Sequence, residues 1–105
     1  MKNKLIKKIS KKSAVIGIYG LGYVGLPLAL RFANAGFKVI GFDIDSLKVK
    51  KLMAGKSYIN YINSSEIIKL SKKLQATNDF SRSKDVDVLI ICVPTPLKKN
   101  KTKRF

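Results

Sequence analysis

The residues in this chain best suited to chemistry are three glycines and one acid. Gly20-Leu21-Gly22-Tyr23-Val24-Gly25 has the spacing G-x-G-x-x-G. It follows a short apolar run, Ala14-Val15-Ile16-Gly17-Ile18-Tyr19, and opens a stretch with helical periodicity. Asp43 ends a second apolar run, 23 residues after Gly20 and 18 after Gly25. The glycine spacing alone is weak evidence. A strand before it, a helix after it and an acid near the expected separation of ~20 residues make it specific. Gly20 permits the tight strand-to-helix turn, Gly22 lacks a Cβ so that a pyrophosphate can approach the backbone, and Gly25 lets the helix pack close to the strand. Free amides near Tyr23 and Val24 lie at the positive end of that helix and can hold the anion. The Asp43 carboxylate can accept hydrogen bonds from ribose hydroxyls. It opposes a 2′-phosphate, which favours NAD over NADP as the cofactor. A plain, tightly packed loop accounts for the glycines but not for strand, helix and acid falling in register.

Three further positions have two readings each. Lys48 lies five residues after Asp43 and can reach the adenosine ribose or a nearby anion; spacing alone favours a solvent-facing lysine at the start of a helix. Val93-Pro94-Thr95-Pro96 follows a strongly apolar run, and ligands of open α/β sheets bind outside the carboxyl ends of strands. Pro94 and Thr95 are therefore cofactor-site candidates, with a rigid proline turn as the alternative. Cys92, inside the apolar run, reads as a small buried hydrophobe rather than a nucleophile.

The elements that must position these residues follow from periodicity. Residues 14–19 read as a fully buried strand. Residues 23–35 fit a helix, with Gly25, Leu28, Ala29, Phe32, Ala33 and Gly36 on one face. Pro27 sits in its first turn and Gly36 at its end. Residues 38–43 are a second strand. Asp45 or Ser46 can cap a helix running to about Ala54, with Val49, Leu52 and Met53 inward and Lys48, Lys50 and Lys51 outward. Gly55 stops it, and 56–63 look like loop. Asn63-Ser64-Ser65-Glu66 resembles a capping box ahead of a helix carrying Ile67, Leu70 and Leu74 on one face. A short strand falls near Leu74–Thr77, Ser81 can cap one helical turn, and 86–93 reads as a central parallel strand, apolar on both faces. The fold class is α/β: a partial Rossmann-type parallel sheet with helical crossovers, the first β-α-β-α-β-β half of a doubly wound domain.

Composition bounds the function. The 105 residues suffice for one domain, not for a cofactor domain plus a separate substrate domain. With no His and one Cys, a His-based triad, a Cys/His zinc site and a disulfide framework are excluded within the chain. The net charge is +16, but six lysines lie in 1–12 and five basic residues in 98–105, which leaves 13–97 at +5. The chain therefore divides into a basic lead-in (1–12), a nucleotide-binding unit (13–97) and a basic tail (98–105). Basic ends can bind nucleic acid or anionic membrane without specificity, or simply be solvated. Lys-rich residues 2–12, an uncharged run and Ala33-Asn34-Ala35 imitate a secretory signal. The run is too long, is broken by Gly17, Gly20, Gly22, Gly25 and Pro27, and is followed by Arg31 ahead of the supposed cleavage site. A cytoplasmic protein, with no membrane partner and no specific nucleic-acid partner, is expected.

Taken together, Gly20 to Pro27, Gly36-Phe37-Lys38-Val39-Ile40-Gly41-Phe42-Asp43-Ile44-Asp45 and Ile90-Ile91-Cys92-Val93-Pro94-Thr95-Pro96 resemble the UDP-glucose/GDP-mannose dehydrogenase family, closest to its UDP-N-acetylglucosamine or N-acetylmannosamine 6-dehydrogenase branch. The resemblance runs from about Ser13 to Asn100. It implies a parent enzyme that oxidises C6 of a nucleotide sugar from alcohol to carboxylate with two NAD, as a homo-oligomer. It also implies that Tyr23, Val24, Asp43, Lys48 and Thr95 fall on NAD-contacting positions. The family's catalytic Cys-x-Pro-Lys-Asp segment is not in this chain, so no catalytic residue is assigned and the chain alone is expected to be inactive. After Pro94-Thr95-Pro96-Leu97 the sequence departs from the family pattern and reads as a domain cut short. The alternative is a small basic α/β module that binds a nucleotide or nucleic acid without redox chemistry.

Overall fold

The computed structural model describes residues 2–92. Four strands form one all-parallel sheet: β1 (Val15–Tyr19), β2 (Lys38–Phe42), β3 (Leu74–Thr77) and β4 (Val88–Ile91), in the spatial order β3-β2-β1-β4. The helices are α1 (Lys2–Ser10), α2 (Gly25–Asn34), α3 (Ser46–Met53) and α4 (Ser64–Lys69), with a 3₁₀ turn at Phe80–Asp85. The expected α/β class, parallel sheet and helical crossovers are all present.

The register aligns the carboxyl ends of the strands. Tyr19 pairs with Phe42 and with Ile91, and Phe42 pairs with Thr77. The ladder runs one step further, with Gly20 N–H donating to Phe42 O at 2.7 Å and Asp43 N–H to Thr77 O at 3.2 Å. The glycine turn and Asp43 thus leave the sheet side by side. The strand order reverses around β1, and in open sheets the crevice at such a reversal is where ligands bind.

Alternation separates the two faces of the sheet. Ile16, Ile18, Val39, Leu74 and Ala76 point into the main core, where they meet Leu26, Ala29, Leu30 and Ala33 of α2, Leu52 of α3 and Ile67 of α4. Each Val, Leu or Ile among them, fully buried, contributes about 1.5–3 kcal/mol. The other face carries Tyr19 and Phe42, covered by Phe80 from the 3₁₀ turn at ring separations of 4.9 and 5.6 Å. The Tyr19 hydroxyl is hydrogen-bonded to that of Ser83 in the same turn.

Several expectations need correction. The basic lead-in is helical: Leu5, Ile6 and Ile9 share one side of α1, a spacing the lysines obscure in the sequence. Helix α2 begins at Gly25 rather than Tyr23, with Val24 as a cap that has no side-chain bond. Its buried stripe also takes in Leu26 and Leu30. Met53 is 59% exposed rather than inward, although its sulfur accepts from Ala76 N–H. Residues 56–63 are irregular as expected, yet Ile59 and Ile62 are buried core. Leu74 belongs to β3, because α4 ends at Lys69. The capping box does form: the Glu66 carboxylate accepts from Asn63 N–H at 3.4 Å. Asp79, not Ser81, caps the 3₁₀ turn and accepts from Ser81 N–H and Oγ. The last strand is shorter than 86–93 and is an edge among the described residues. Val88 and Ile90 pack on the core, while Leu89 is 41% and Ile91 64% exposed. Alternation, not central burial, governs β4. Val93 lies outside the described residues.

Arg82 and Asp85 form an ion pair at 3.6 Å, partly exposed on one turn and worth at most about 1 kcal/mol. Backbone approach matters far more. A Cβ on Gly25 would lie 1.6 Å from Gly20 O, whereas a Cβ on Gly22 meets nothing within 4 Å. Gly25→Ala should therefore destabilise the chain by about 3 kcal/mol or more, and Gly22→Ala by less than about 1 kcal/mol. Urea or thermal melts of the two variants against wild type will read the difference.

Candidate functional site

The carboxyl edge of the sheet is shaped by the loop 20–25. Gly20 turns the chain at φ 95°, a conformation that side chains oppose. The Leu21 side chain folds inward and is fully buried, in a space left by Gly41, whose Cβ would lie 2.5 Å from it. Tyr23 and Val24 are exposed at the mouth of the loop, and α2 starts immediately behind them.

Backbone donors are divided by this arrangement. Gly20 and Leu21 donate into the protein, to Phe42 O and Asp43 Oδ2. The N–H groups of Gly22, Tyr23, Val24 and Gly25 have no protein acceptor among the described residues. They are the unpaired donors at the start of α2, where the helix dipole is positive. In the same loop, a Cβ on Gly22 would meet nothing within 4 Å. A diphosphate fits these features: free donors, positive potential and a backbone that can be approached closely.

Asp43 is 9% exposed. Its Oδ2 accepts from Leu21 N–H at 2.8 Å and its Oδ1 from Asp45 N–H at 2.9 Å. The acid is thus a structural tie between β2 and the glycine loop, a role its sequence spacing does not reveal. A carboxylate offers about four acceptor sites, so two remain for other donors. Asp45 caps α3, its Oδ1 accepting from Leu47 N–H at 3.0 Å.

Lys48 is not a purely outward lysine. Its Nζ lies 5.9 Å from the centre of the Tyr58 ring, a cation–π distance. With Lys51, Leu47, Gly22 and Tyr23 it lines a cleft of about 290 Å³ beside the glycine loop. Cys92 is half-buried against the core, in keeping with a packing role. Pro94 and Thr95 lie outside the described residues. The structure therefore gathers Gly20, Gly22, Tyr23, Val24, Gly25 and Asp43 at one edge, with Lys48 beside them.

Two residues of this neighbourhood have no signal in the sequence. Tyr58, from the segment after α3, donates its hydroxyl to Leu21 O at 2.5 Å. Tyr61, three residues on, donates to Tyr23 O at 3.1 Å. Burial, and then the carboxylates of Asp43 and Asp45, push the Tyr58 hydroxyl well above the ordinary tyrosine value. It therefore stays a donor over the whole neutral range. Read from the sequence alone, residues 56–63 are only a loop between helices.

An all-parallel sheet, a glycine turn feeding a helix, and an acid at the end of the neighbouring strand define a dinucleotide-binding α/β domain. Comparison with known proteins makes this specific. The model of the UDP-glucose/GDP-mannose dehydrogenase family, NAD binding domain, matches residues 14–104. The chain belongs to this family, and the matched segment is its NAD-binding domain. The UDP-N-acetyl-D-mannosamine dehydrogenase of Pyrococcus horikoshii is 41% identical over 86 residues, 78% of this chain and 20% of that protein. The UDP-N-acetyl-D-glucosamine 6-dehydrogenase of Salmonella typhi is 37% identical over 82 residues, 77% of this chain and 19% of that protein. Among solved structures, a ternary complex of GDP-mannose dehydrogenase from Pseudomonas aeruginosa superposes with a TM-score of 0.73 at 38% identity, covering 81% of this chain and 20% of that one. The chain thus spans about one fifth of the length of the curated relatives it matches. No helix among the described residues is long and apolar enough to cross a membrane.

The two amides on Asp43 give a test that needs no ligand. Asn can accept through one oxygen only and presents an NH₂ to the other amide. Asp43→Asn should therefore leave either Leu21 or Asp45 N–H unpaired and cost about 1–3 kcal/mol. A denaturant melt of the ligand-free chain will measure it; an unchanged midpoint would contradict the tie.

Proposed function

We propose that this chain is the NAD-binding portion of a nucleotide-sugar 6-dehydrogenase. The parent enzyme oxidises the C6 alcohol of a UDP-sugar to a carboxylate with two NAD, acts in the cytoplasm and assembles as a homo-oligomer. Residues 13–97 are the cofactor unit, flanked by basic segments 1–12 and 98–105. The observation that carries this reading is a loop that combines an open Gly22 position with four amides lacking protein acceptors among the described residues, one strand away from Asp43.

In this reading Gly20 and Gly25 shape the loop, and Gly22 admits the pyrophosphate. The amides of Gly22, Tyr23 and Val24 hold its oxygens. Asp43 turns its two remaining acceptor sites to the ribose hydroxyls of adenosine. Lys48 reaches the same ribose, or an adjacent phosphate, across the cleft it lines. Pro94 and Thr95 follow β4, whose carboxyl end lies next to that of β1, and Thr95 offers a hydroxyl to the cofactor. When bound, the nicotinamide accepts hydride from the substrate. The chain itself supplies binding and orientation, and we assign it no catalytic residue. The names of the relatives, dehydrogenases of UDP-N-acetylmannosamine and UDP-N-acetylglucosamine, support a UDP-N-acetylhexosamine as the substrate of the parent.

Calorimetric titration of the chain with each cofactor tests the reading. NAD should bind at least about tenfold more tightly than NADP, a difference of ~1.4 kcal/mol, because the buried Asp43 carboxylate opposes a 2′-phosphate. Gly22→Val should lose NAD binding while keeping a cooperative melt, since its side chain fills ligand space rather than core. Equal or tighter NADP binding would overturn the role of Asp43. Normal NAD binding by Gly22→Val would reduce the glycine loop to a structural turn.

A further inference from the structure

The unpaired amides of the glycine loop are useful only if they point the right way, and the three-residue stretch of Gly22 and the exposed Tyr23 and Val24 does not fix that by itself. A trans peptide is planar, with its N–H on the edge opposite its C=O. Holding a carbonyl therefore aims the N–H of the following residue. Two carbonyls in this loop are held. Leu21 O takes the Tyr58 hydroxyl, and Leu21 C=O shares its peptide with Gly22 N–H. Tyr23 O takes the Tyr61 hydroxyl, and Tyr23 C=O shares its peptide with Val24 N–H. Gly22 and Val24 carry two of the four unpaired donors.

We propose that Tyr58 and Tyr61 are positioning residues: by holding the Leu21 and Tyr23 carbonyls, they turn the Gly22 and Val24 amides toward a bound diphosphate. The proposal rests on the reading of the loop as a pyrophosphate site. It adds that the segment after α3, remote in sequence from the glycines, sets the geometry of that site.

The neighbourhood is built for the purpose. The peptide on the other side of Leu21 is held as well, because Asp43 Oδ2 accepts its N–H at 2.8 Å. The Leu21 side chain is locked in the space left by Gly41. With both flanking peptides and the side chain fixed, Leu21 is an anchor from which Gly22 projects. Tyr58 is held in turn: its ring lies under Lys48 Nζ, and the next residue, Ile59, is buried in the core. The Tyr61 ring packs against that of Tyr23, 6.4 Å between centroids, and Ile62 beside it is buried. The two buried isoleucines fasten the segment to the core, and the two tyrosines carry that rigidity to the loop. The raised ionisation of Tyr58 keeps its hydroxyl protonated, hence a donor, wherever the domain works.

The test reads aim and affinity separately in the full chain, labelled with ¹⁵N. In wild type the order parameters of the Gly22 and Val24 amides should be near the rigid value of about 0.85. Tyr58→Phe should drop Gly22 below about 0.6, and Tyr61→Phe should do the same to Val24, each with little effect on the other. Tyr19→Phe, which removes a hydroxyl bonded to Ser83 in the 3₁₀ turn, should leave both amides unchanged. Titration with ADP and with adenosine gives the second reading. Tyr58→Phe should weaken ADP about three- to tenfold, the worth of one hydrogen bond, and leave adenosine unchanged, because adenosine lacks the diphosphate. Loss of general stability would weaken both ligands alike. If Tyr58→Phe unfolds the chain, the exposed Tyr61→Phe decides by the same measures. Wild type that binds neither ADP nor NAD would overturn the reading of the site. Wild-type binding together with unaltered amide order and ADP affinity in the variants would overturn the clamp and leave that reading standing.

Discussion

The missing Cβ of Gly25 is the constraint from which the rest of the site follows. Its backbone passes so close to the Gly20 carbonyl that a methyl group would sit 1.6 Å from the oxygen. Only this approach lets α2 begin directly over the end of β1, and so presents the first amides of the helix at the carboxyl edge of the sheet. A helix displaced by a side chain there would lose its packing on Ile18, which is also within 3.4 Å of the same position. Site and core are therefore one arrangement. The contact that places Ala29 and Ala33 against the sheet also aims the dipole of α2 at the ligand space.

Around that contact the loop is fastened by groups from three parts of the chain. Gly41 and Asp43 come from β2 and its end, Tyr58 and Tyr61 from the segment before α4, and Leu21 and Gly25 from the loop itself. Asp43 takes the Leu21 donor and the two tyrosines take the Leu21 and Tyr23 carbonyls, while the Gly22, Tyr23 and Val24 donors stay free of protein acceptors among the described residues. An anion-binding loop of this kind owes its strength to the order paid in folding, since a flexible one would have to lose the same entropy on binding. The NAD-binding assignment shared with the family's relatives is thus expressed here in local physical terms.

Much of this was legible in the sequence because it depends on residue type at fixed spacing. Gly20, Gly22, Gly25 and Asp43 were readable as a set because a tight turn and a close approach call for glycine, and an acid at that separation from them completes a known pattern. The β-branched run at Val15 to Tyr19 and the pairing of apolar with helical periods gave the parallel sheet. Other features were not legible. Asp43 has the sequence signature of a ribose acceptor and none of a loop tie, since the Leu21 amide it holds carries no residue-type signal. Tyr58 and Tyr61 act through carbonyl oxygens, which are the same at every residue. The α1 helix was hidden by its lysines. Strand β4 read as central because Leu89 and Ile91 are as apolar as Val88 and Ile90, and residue type cannot tell a covered face from an exposed one.

The claim at the centre of this account is that unpaired amides at the start of α2 hold the cofactor's diphosphate. The most direct measurement is an amide-resolved NMR titration of the ¹⁵N-labelled chain with NAD. The account predicts saturable shifts that are largest at Gly22, Tyr23 and Val24, with smaller ones at Asp43 and Lys48, and none at the opposite end of the sheet near Lys38 and Lys73. Saturable shifts centred on that opposite end, or a glycine loop unmoved while NAD binds elsewhere, would contradict it.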